Sequence, residues 1–461
     1  MNRRRLLVII VIAGTVVVAV AWRARHRVRT MLEQRAENQS RDTLLISRAT
    51  TALPVAPPLT VQGNDAPWWR ARISVDVPSQ LPPLDWGEDH NVVWKTPLPG
   101  QGHSSPCVLG DDVYLTSAIE DEQSQHVYCA SLKTGEIVWD REAHRGKFIY
   151  ANLKCSHASS TPATDGSLIF VSFPIDGAIW LSAFTPQGEL TWQTEVGPYY
   201  SKEGFGASPL VAGDFVIVAA DNVGQSWLAA VHRASGDVVW RTPRGAGTSY
   251  GTPGLLESDG ETQIVMAGLE RVTAYRSSDG SEVWQIPGPV LSASTPTIAD
   301  GMIFVTGCSA ESGVSAIEFG SPPRTLWNHK LKAEVPSPLY HDGLLYVAQD
   351  LGILNCFEAD TGERVWRKRL GGNVASSPVR IGERILISVE DGRTFVFKAG
   401  RDDEVLAENT LDAGILATPV PTSGGLLIRT LDHLYCIGHL EPIAAADSER
   451  ASGSDTETDG K

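Results

Sequence analysis

The sequence predicts an all-β fold, an eight-bladed β-propeller closed by an N-terminal strand and preceded by a membrane-anchor helix. Three observations carry that expectation. A Ser or Thr followed by Pro recurs eight times, at Pro106, Pro162, Pro209, Pro253, Pro296, Pro338, Pro378 and Pro419, at intervals of 56, 47, 44, 43, 42, 40 and 41 residues. Alternating strands follow each Pro (DDVYLTS, DFVIVAA, GLLYVAQ, RILISVE), and a period of this length with four short strands is that of a propeller blade. Five units close on a Gly turn and a Trp strand, ending at Trp139, Trp192, Trp240, Trp284 and Trp366, with Gly four residues before Trp each time.

The third observation concerns the ends. The eighth unit stops after LLIRTLDHLYCIG without a Trp strand, while the strand around Trp94 (NVVWKT) precedes the first unit with no blade of its own. A ring that pairs this first strand with the last blade has no open edge. The whole of 91–440 is therefore read as one domain.

Composition agrees with a folded body. Of 461 residues 42% are hydrophobic and 20% charged, which excludes bulk disorder, collagen and coiled coil. Net charge is −15, with −18 carried by 49–440, so the body repels phosphate backbones and nucleic acid is not an expected partner. The six cysteines (Cys107, Cys129, Cys155, Cys308, Cys356, Cys436) form no CxxC or adjacent pair and give no zinc or haem signal.

The flanks follow in order. Residues 1–5 are basic. Residues 6–22, LLVIIVIAGTVVVAVAW, form an uncharged run at the short limit of a membrane span. Two readings stand: a retained transmembrane anchor, favoured by the collar of Trp22 and Arg that follows, and a secretory signal cleaved after Ala19-Val20-Ala21. Arg on both flanks leaves the orientation open. Residues 23–90 are read as a linker, Pro-rich from 49 onward and able to lie on the domain as a strap. Residues 441–461 are acidic and poor in apolar residues, hence a disordered tail.

The Trp residues have a structural reading. Trp94, Trp139, Trp192, Trp240, Trp284, Trp327 and Trp366 sit on outer strands, where each indole can wedge between adjacent blades. The unit AVHRASGDVVW, 230–240, resembles the tryptophan-docking repeat of pyrroloquinoline-quinone (PQQ) propellers. The stretches VVWKTPLPGQGHSSPCVLGDDVYLTSA and GGNVASSPVRIGERILISVEDGRTFVFKAG are similar to PQQ-like eight-bladed proteins of planctomycete-type bacteria. The resemblance covers about 91–440 and has two functional branches. One is the quinoprotein dehydrogenases, which hold PQQ and calcium on the propeller axis beneath an adjacent Cys-Cys pair. That pair is absent here, and no set of calcium ligands transfers residue by residue. The other is the barrel-assembly lipoprotein of Gram-negative outer membranes, a cofactor-free scaffold. This chain resembles it in blade number and length but has no Cys to carry a lipid.

The remaining site expectations are as follows. The hydroxyls Ser105, Thr161, Ser208, Thr252, Thr295, Ser337, Ser377 and Thr418 should ring the central channel and bond local backbone or channel water, with binding of a polar ligand as the alternative. His103, His157 and Tyr250 should face the channel mouth. Acidic turn residues such as Glu120, Asp176, Asp221, Asp350 and Asp391 read as turn formers that could also gather for a cation or a basic partner. Two long links, 140–158 and 195–207, lie on the same face and carry Phe148, Tyr150, Tyr199, Tyr200 and Phe205, the expected partner-binding aromatics. No phosphate loop, HExxH, GxSxG or nucleophile with a base is present, so no catalytic residue, cofactor or metal is assigned. The expectation is a membrane-tethered, non-catalytic scaffold in the bacterial cell envelope with protein partners. A PQQ- and calcium-binding redox enzyme and a carbohydrate or small-ligand binder are the alternatives.

Overall fold

The computed structural model describes residues 53–76, 81–152, 154–258, 260–308, 313–422 and 425–439. The predicted anchor at 6–22, the stretch 23–52 and the tail at 441–461 lie outside them. The described residues form eight antiparallel four-stranded sheets, with one two-residue strand added to the seventh, and contain no α-helix. Blade one, for instance, runs through Cys107–Leu109, Asp112–Ile119, Ser124–Ser131 and Ile137–Arg145. The eighth sheet takes its three inner strands from Val420–Thr422, Gly425–Arg429 and His433–Ile437. Its outer strand is Val92–Pro97, with Trp94 opposite Cys436 and Lys95 opposite Tyr435.

Strand patterning explains the ring. The second and third strands are buried on both faces over most of their length, as in Ile169–Ile175, buried throughout, and Ala178–Phe184, where only Trp180 is half-buried. Their apolar residues fill the gaps between blades and build a chain of core clusters around the axis. The fourth strand buries only its Trp side, because its other face is solvent: Val138 is exposed while Trp139 is buried. Small residues occupy the position opposite each Trp, where the sheets crowd: Cys129, Ala230, Ala274, Cys356 and Cys436.

Six of the seven outer Trp residues are pinned to the next blade. The indole N–H donates to a backbone carbonyl there in six cases: Trp94 to Leu132, Trp139 to Pro186, Trp192 to Arg233, Trp240 to Ser277, Trp327 to Ala359 and Trp366 to Gly400, at 2.9–3.1 Å. Two residues later a hydroxyl repeats the grip, with Thr96, Thr194 and Thr242 donating to the carbonyls of Gly135, Gly236 and Gly280. The Gly of the W-preceding turn is required twice over. Gly236 has φ +78° and a Cβ there would lie 2.7 Å from the Trp192 ring. Trp284 departs from the pattern: the following turn reads GSPPR, and its indole donates to Gln263 within its own blade at 3.1 Å.

The Pro-rich segment lies across one face of the ring. Thr60 N–H donates to Asp165 O of blade two, Ala66 bridges Val108 of blade one, and Thr164 N–H donates to Pro67 O. The chain then crosses the axis. Arg70 reaches Thr297 and Pro338 of blades five and six, Ser74–Val75 adds a parallel strand to Arg380–Ile381 of blade seven, and Trp86 is buried beside Asn409. Apart from Asn409, on the fourth strand of blade seven, these contacts fall on first strands or at the turns that follow them, so the strap covers the face opposite the long links.

Candidate functional site

The inner strands begin with the eight predicted hydroxyls, and their geometry corrects the expectation that they bond locally. Seven of the eight oxygens reach into the neighbouring blade. The backbone N–H of Ser105 donates to Thr161 Oγ1, Thr161 to Ser208, Ser208 to Thr252, Thr295 to Ser337, Ser337 to Ser377, Ser377 to Thr418, and Thr418 back to Ser105, all at 2.8–3.0 Å. The belt is interrupted between blades four and five. There Thr295 Oγ1 accepts instead from the indole of Trp69 on the strap, at 2.8 Å.

Above this belt the axis opens into a cavity of about 520 Å³. Trp69, with Ser105, Thr161 and Thr418, lines both this cavity and a small adjoining cleft, so the strap meets the axis at the level of the belt. The walls come from the long links and from the turns between second and third strands. Lys154 crosses the mouth to Glu390 of blade seven at 2.9 Å, Asn152 holds Glu203 at 2.6 Å, and Lys332 pairs with Glu334 at 2.9 Å. Asp350 accepts from the backbone N–H groups of Glu334 and Val335, and burial still pushes its carboxyl above the usual range.

The three predicted mouth residues divide. His103 and Tyr250 line the cavity. His103 Nδ1 is buried without a partner, and burial, with the Arg429 charge second, lowers its pKa to about 4, so the ring is neutral. His157 is fastening rather than lining: Nδ1 meets Glu120 at 2.7 Å, Nε2 meets the Ile149 carbonyl at 2.8 Å, and Phe148 stacks on it at 4.2 Å.

The five predicted aromatics divide as well. Tyr199 and Phe205 are 1% and 2% exposed and pack edge-to-face at 5.3 Å, with the Tyr199 hydroxyl donating to Gly204 O. They are core, because the 195–207 link folds back under its own apolar residues to cover blades two and three. Phe148 and Tyr200 are half-buried, and only Tyr150, 64% exposed, presents its ring. Leu351, 72% exposed beside the cavity, and the exposed Val290 and Leu431 join it on this face. Sequence reasoning missed them because they sit singly in short turns.

The acidic turn residues are engaged locally. Asp221 forms a buried ion pair with Arg244 at 2.8 Å, Asp391 pairs with Arg393, and Asp176 accepts from Lys147 N–H. Among the described residues no three His, Cys, Asp or Glu side chains converge as a metal site. Trp69 and Arg429 were also missed. Arg429 is fully buried between blades eight and one, where Nη1 donates to Ser104 and the Thr116 carbonyl. With no carboxylate among these partners, burial lowers its pKa to about 9. The WWR at 68–70, two adjacent Trp in a Pro-rich linker, was the available signal for Trp69.

Fold and axis define a PQQ-like eight-bladed propeller. A family profile described as outer membrane protein assembly factor BamB matches residues 84–197, 123–286, 224–322 and 310–418, and the chain belongs to that family. It is similar to the outer membrane protein assembly factor BamB of Yersinia pestis, 21% identical over 76% of this chain and 89% of that protein. The protein of the same name from Burkholderia pseudomallei is 24% identical over 68% of each chain. That from Nitrosomonas eutropha is 29% identical over 126 residues, 30% of its length. Among solved structures, BamB from Moraxella catarrhalis superposes with a TM-score of 0.56 at 17% identity, covering 75% of this chain and 99% of that one. A europium-containing methanol dehydrogenase does so at 0.55 and 14% identity, covering 74% and 85%. These superpositions show the fold.

Proposed function

We propose that this protein is a non-catalytic scaffold of the bacterial envelope, tethered by residues 6–22, that holds a protein partner against the face around the channel mouth. The observation that carries the reading is the inequality of the two faces. One is covered by the chain's own strap, whereas the other presents Tyr150, Val290, Leu351 and Leu431 on rigid turns around an open cavity. Membership of a family described as an outer membrane protein assembly factor supports it, as do relatives bearing that name. In this reading the pairing of Val92–Pro97 with blade eight shuts the ring, and the strap turns the working face away from the tethered end.

The cavity argues against a quinone enzyme. PQQ is a tricarboxylate, yet Lys332 and Lys154 are each paired with a glutamate, and no uncommitted cation lines the wall among the described residues. Apo-protein mixed with PQQ and Ca²⁺ is expected to lose both on desalting and to show no dye-linked alcohol oxidation; stoichiometric retention would promote the enzyme reading. The scaffold is tested by replacing Tyr150 with Ala and Leu351 with Glu together. Co-purification of envelope partners from solubilised membranes should fall while melting is unchanged; undiminished capture would place the partner elsewhere.

A further inference from the structure

We infer that the axial cavity is a binding site for a small uncharged polyhydroxylated ligand, of the chemistry of a neutral mono- or disaccharide. The inference does not depend on the scaffold reading, since a propeller can hold a small molecule on its axis whatever docks on its rim.

Shape comes first. A cavity of about 520 Å³ is within the roughly 300–1,000 Å³ of small-molecule sites, and the Trp69 indole forms part of its wall. The lining mixes apolar surface (Leu291, Ala293, Val335, Leu416) with a few convergent polar groups. That is the composition a sugar ring meets well, with C–H faces on apolar wall and hydroxyls on donors and acceptors.

The polar groups then specify the chemistry. Five belt hydroxyls line the cavity: Ser105, Thr161, Ser208, Thr252 and Thr418. Each oxygen already accepts a backbone N–H, so each retains its own proton to donate, and no protein acceptor for those protons is found among the described residues. His103 offers the converse, a buried Nδ1 without a partner beside the same space. Its depressed pKa agrees with an imidazole that can accept as well as donate. A ligand satisfying both must carry several oxygen acceptors and at least one donor.

Charge removes the other classes. Lys154 and Lys332 stand against Glu203, Glu334, Asp350 and Glu390, so the wall is acidic and repels an anion. Those carboxylates already accept from a lysine, an amide or backbone N–H groups, so a cation finds them engaged. An uncharged ligand is what remains.

The test is calorimetric titration of the full chain with glucose, maltose and sucrose, alongside glucuronate and glucosamine as charged counterparts. At least one neutral sugar should bind saturably with a dissociation constant of about 1 mM or tighter. That affinity should hold between ~0.05 and ~0.5 M salt, because no ion pair forms. The charged sugars should bind at least roughly tenfold more weakly. Ala375→Phe, which fills the cavity from an inner link, should abolish binding without lowering the melting temperature, and Val138→Glu, on the exposed outer strand of blade one, should leave it intact. No saturable binding by any neutral sugar overturns the inference. So does glucuronate or glucosamine binding as tightly, or binding that survives Ala375→Phe.

Discussion

At the residue scale, the same side chain or turn has opposite consequences according to what it touches. Tyr199→Ala should cost about 3–5 kcal/mol, because it empties a buried ring site, while Tyr150→Ala should be nearly neutral. Thermal unfolding of the two variants distinguishes them; equal melting temperatures would mean that the 195–207 link is not packed as described. Blade three offers a comparison of two glycines. Gly213→Ala meets nothing within 4 Å and should cost only the left-handed strain of about 1–2 kcal/mol. Gly236→Ala adds an overlap with Trp192, about 1–3 kcal/mol more. The site was half legible at this scale. His103 and Tyr250 could be placed by their offset from the blade Pro, because the repeat fixes where a strand begins. Burial could not be placed: Tyr199 and Tyr150 occupy links of similar composition, and only the fold of each link decides which ring turns inward.

Two histidines give the residue scale a pH dependence. Burial lowers both His103 and His144 to about 4, and Gln193 Nε2 lies 3.2 Å from His144 Nε2, which suits a neutral ring. Folded-state values below the unfolded value near 6.5 mean that the unfolded chain binds more protons between those limits. Their stabilisation is therefore complete above about pH 6.5 and is lost as pH falls toward 4. Melting temperature should drop between pH 7 and pH 5, and His144→Gln should flatten that slope. A slope unchanged by the substitution would assign the acid sensitivity to other groups.

At the element scale, blade strands, Trp grips and permuted ends were legible because a propeller repeats one local solution eight times. The strap was less so. Its residues carry no periodicity, and its contacts are made one at a time, among them with blades one, two, five, six and seven. Yet it does what no blade can, since the Trp69 indole fills the gap in the hydroxyl belt at Thr295. Trp69→Ala should open the axis and speed amide exchange in Thr297–Ala299 and Gly254–Ser258, the inner strands flanking that gap. Exchange confined to the strap itself would show the belt to be complete without it. Deleting 91–97 strips the outer strand from blade eight, and a large loss of melting temperature or aggregation is expected, since an unpaired edge recruits other chains. A deletion variant that melts like the intact protein would contradict the register of the last blade.

At the scale of the whole molecule, the ring is a rigid disc with one face occupied by its own chain. Fold and family follow from repetition, which sequence displays openly, whereas the choice of face depends on where a non-repeating segment lies. The account stands on that choice. The most direct measurement is site-specific photo-crosslinking in the native envelope from three positions: Leu351 at the channel mouth, Leu59 on the strap and Val405 on an outer strand, all exposed. Cross-links to a discrete envelope protein from position 351, with none from 59 or 405, are predicted. Adducts formed from the strap or the outer strand but not from 351 would contradict the account.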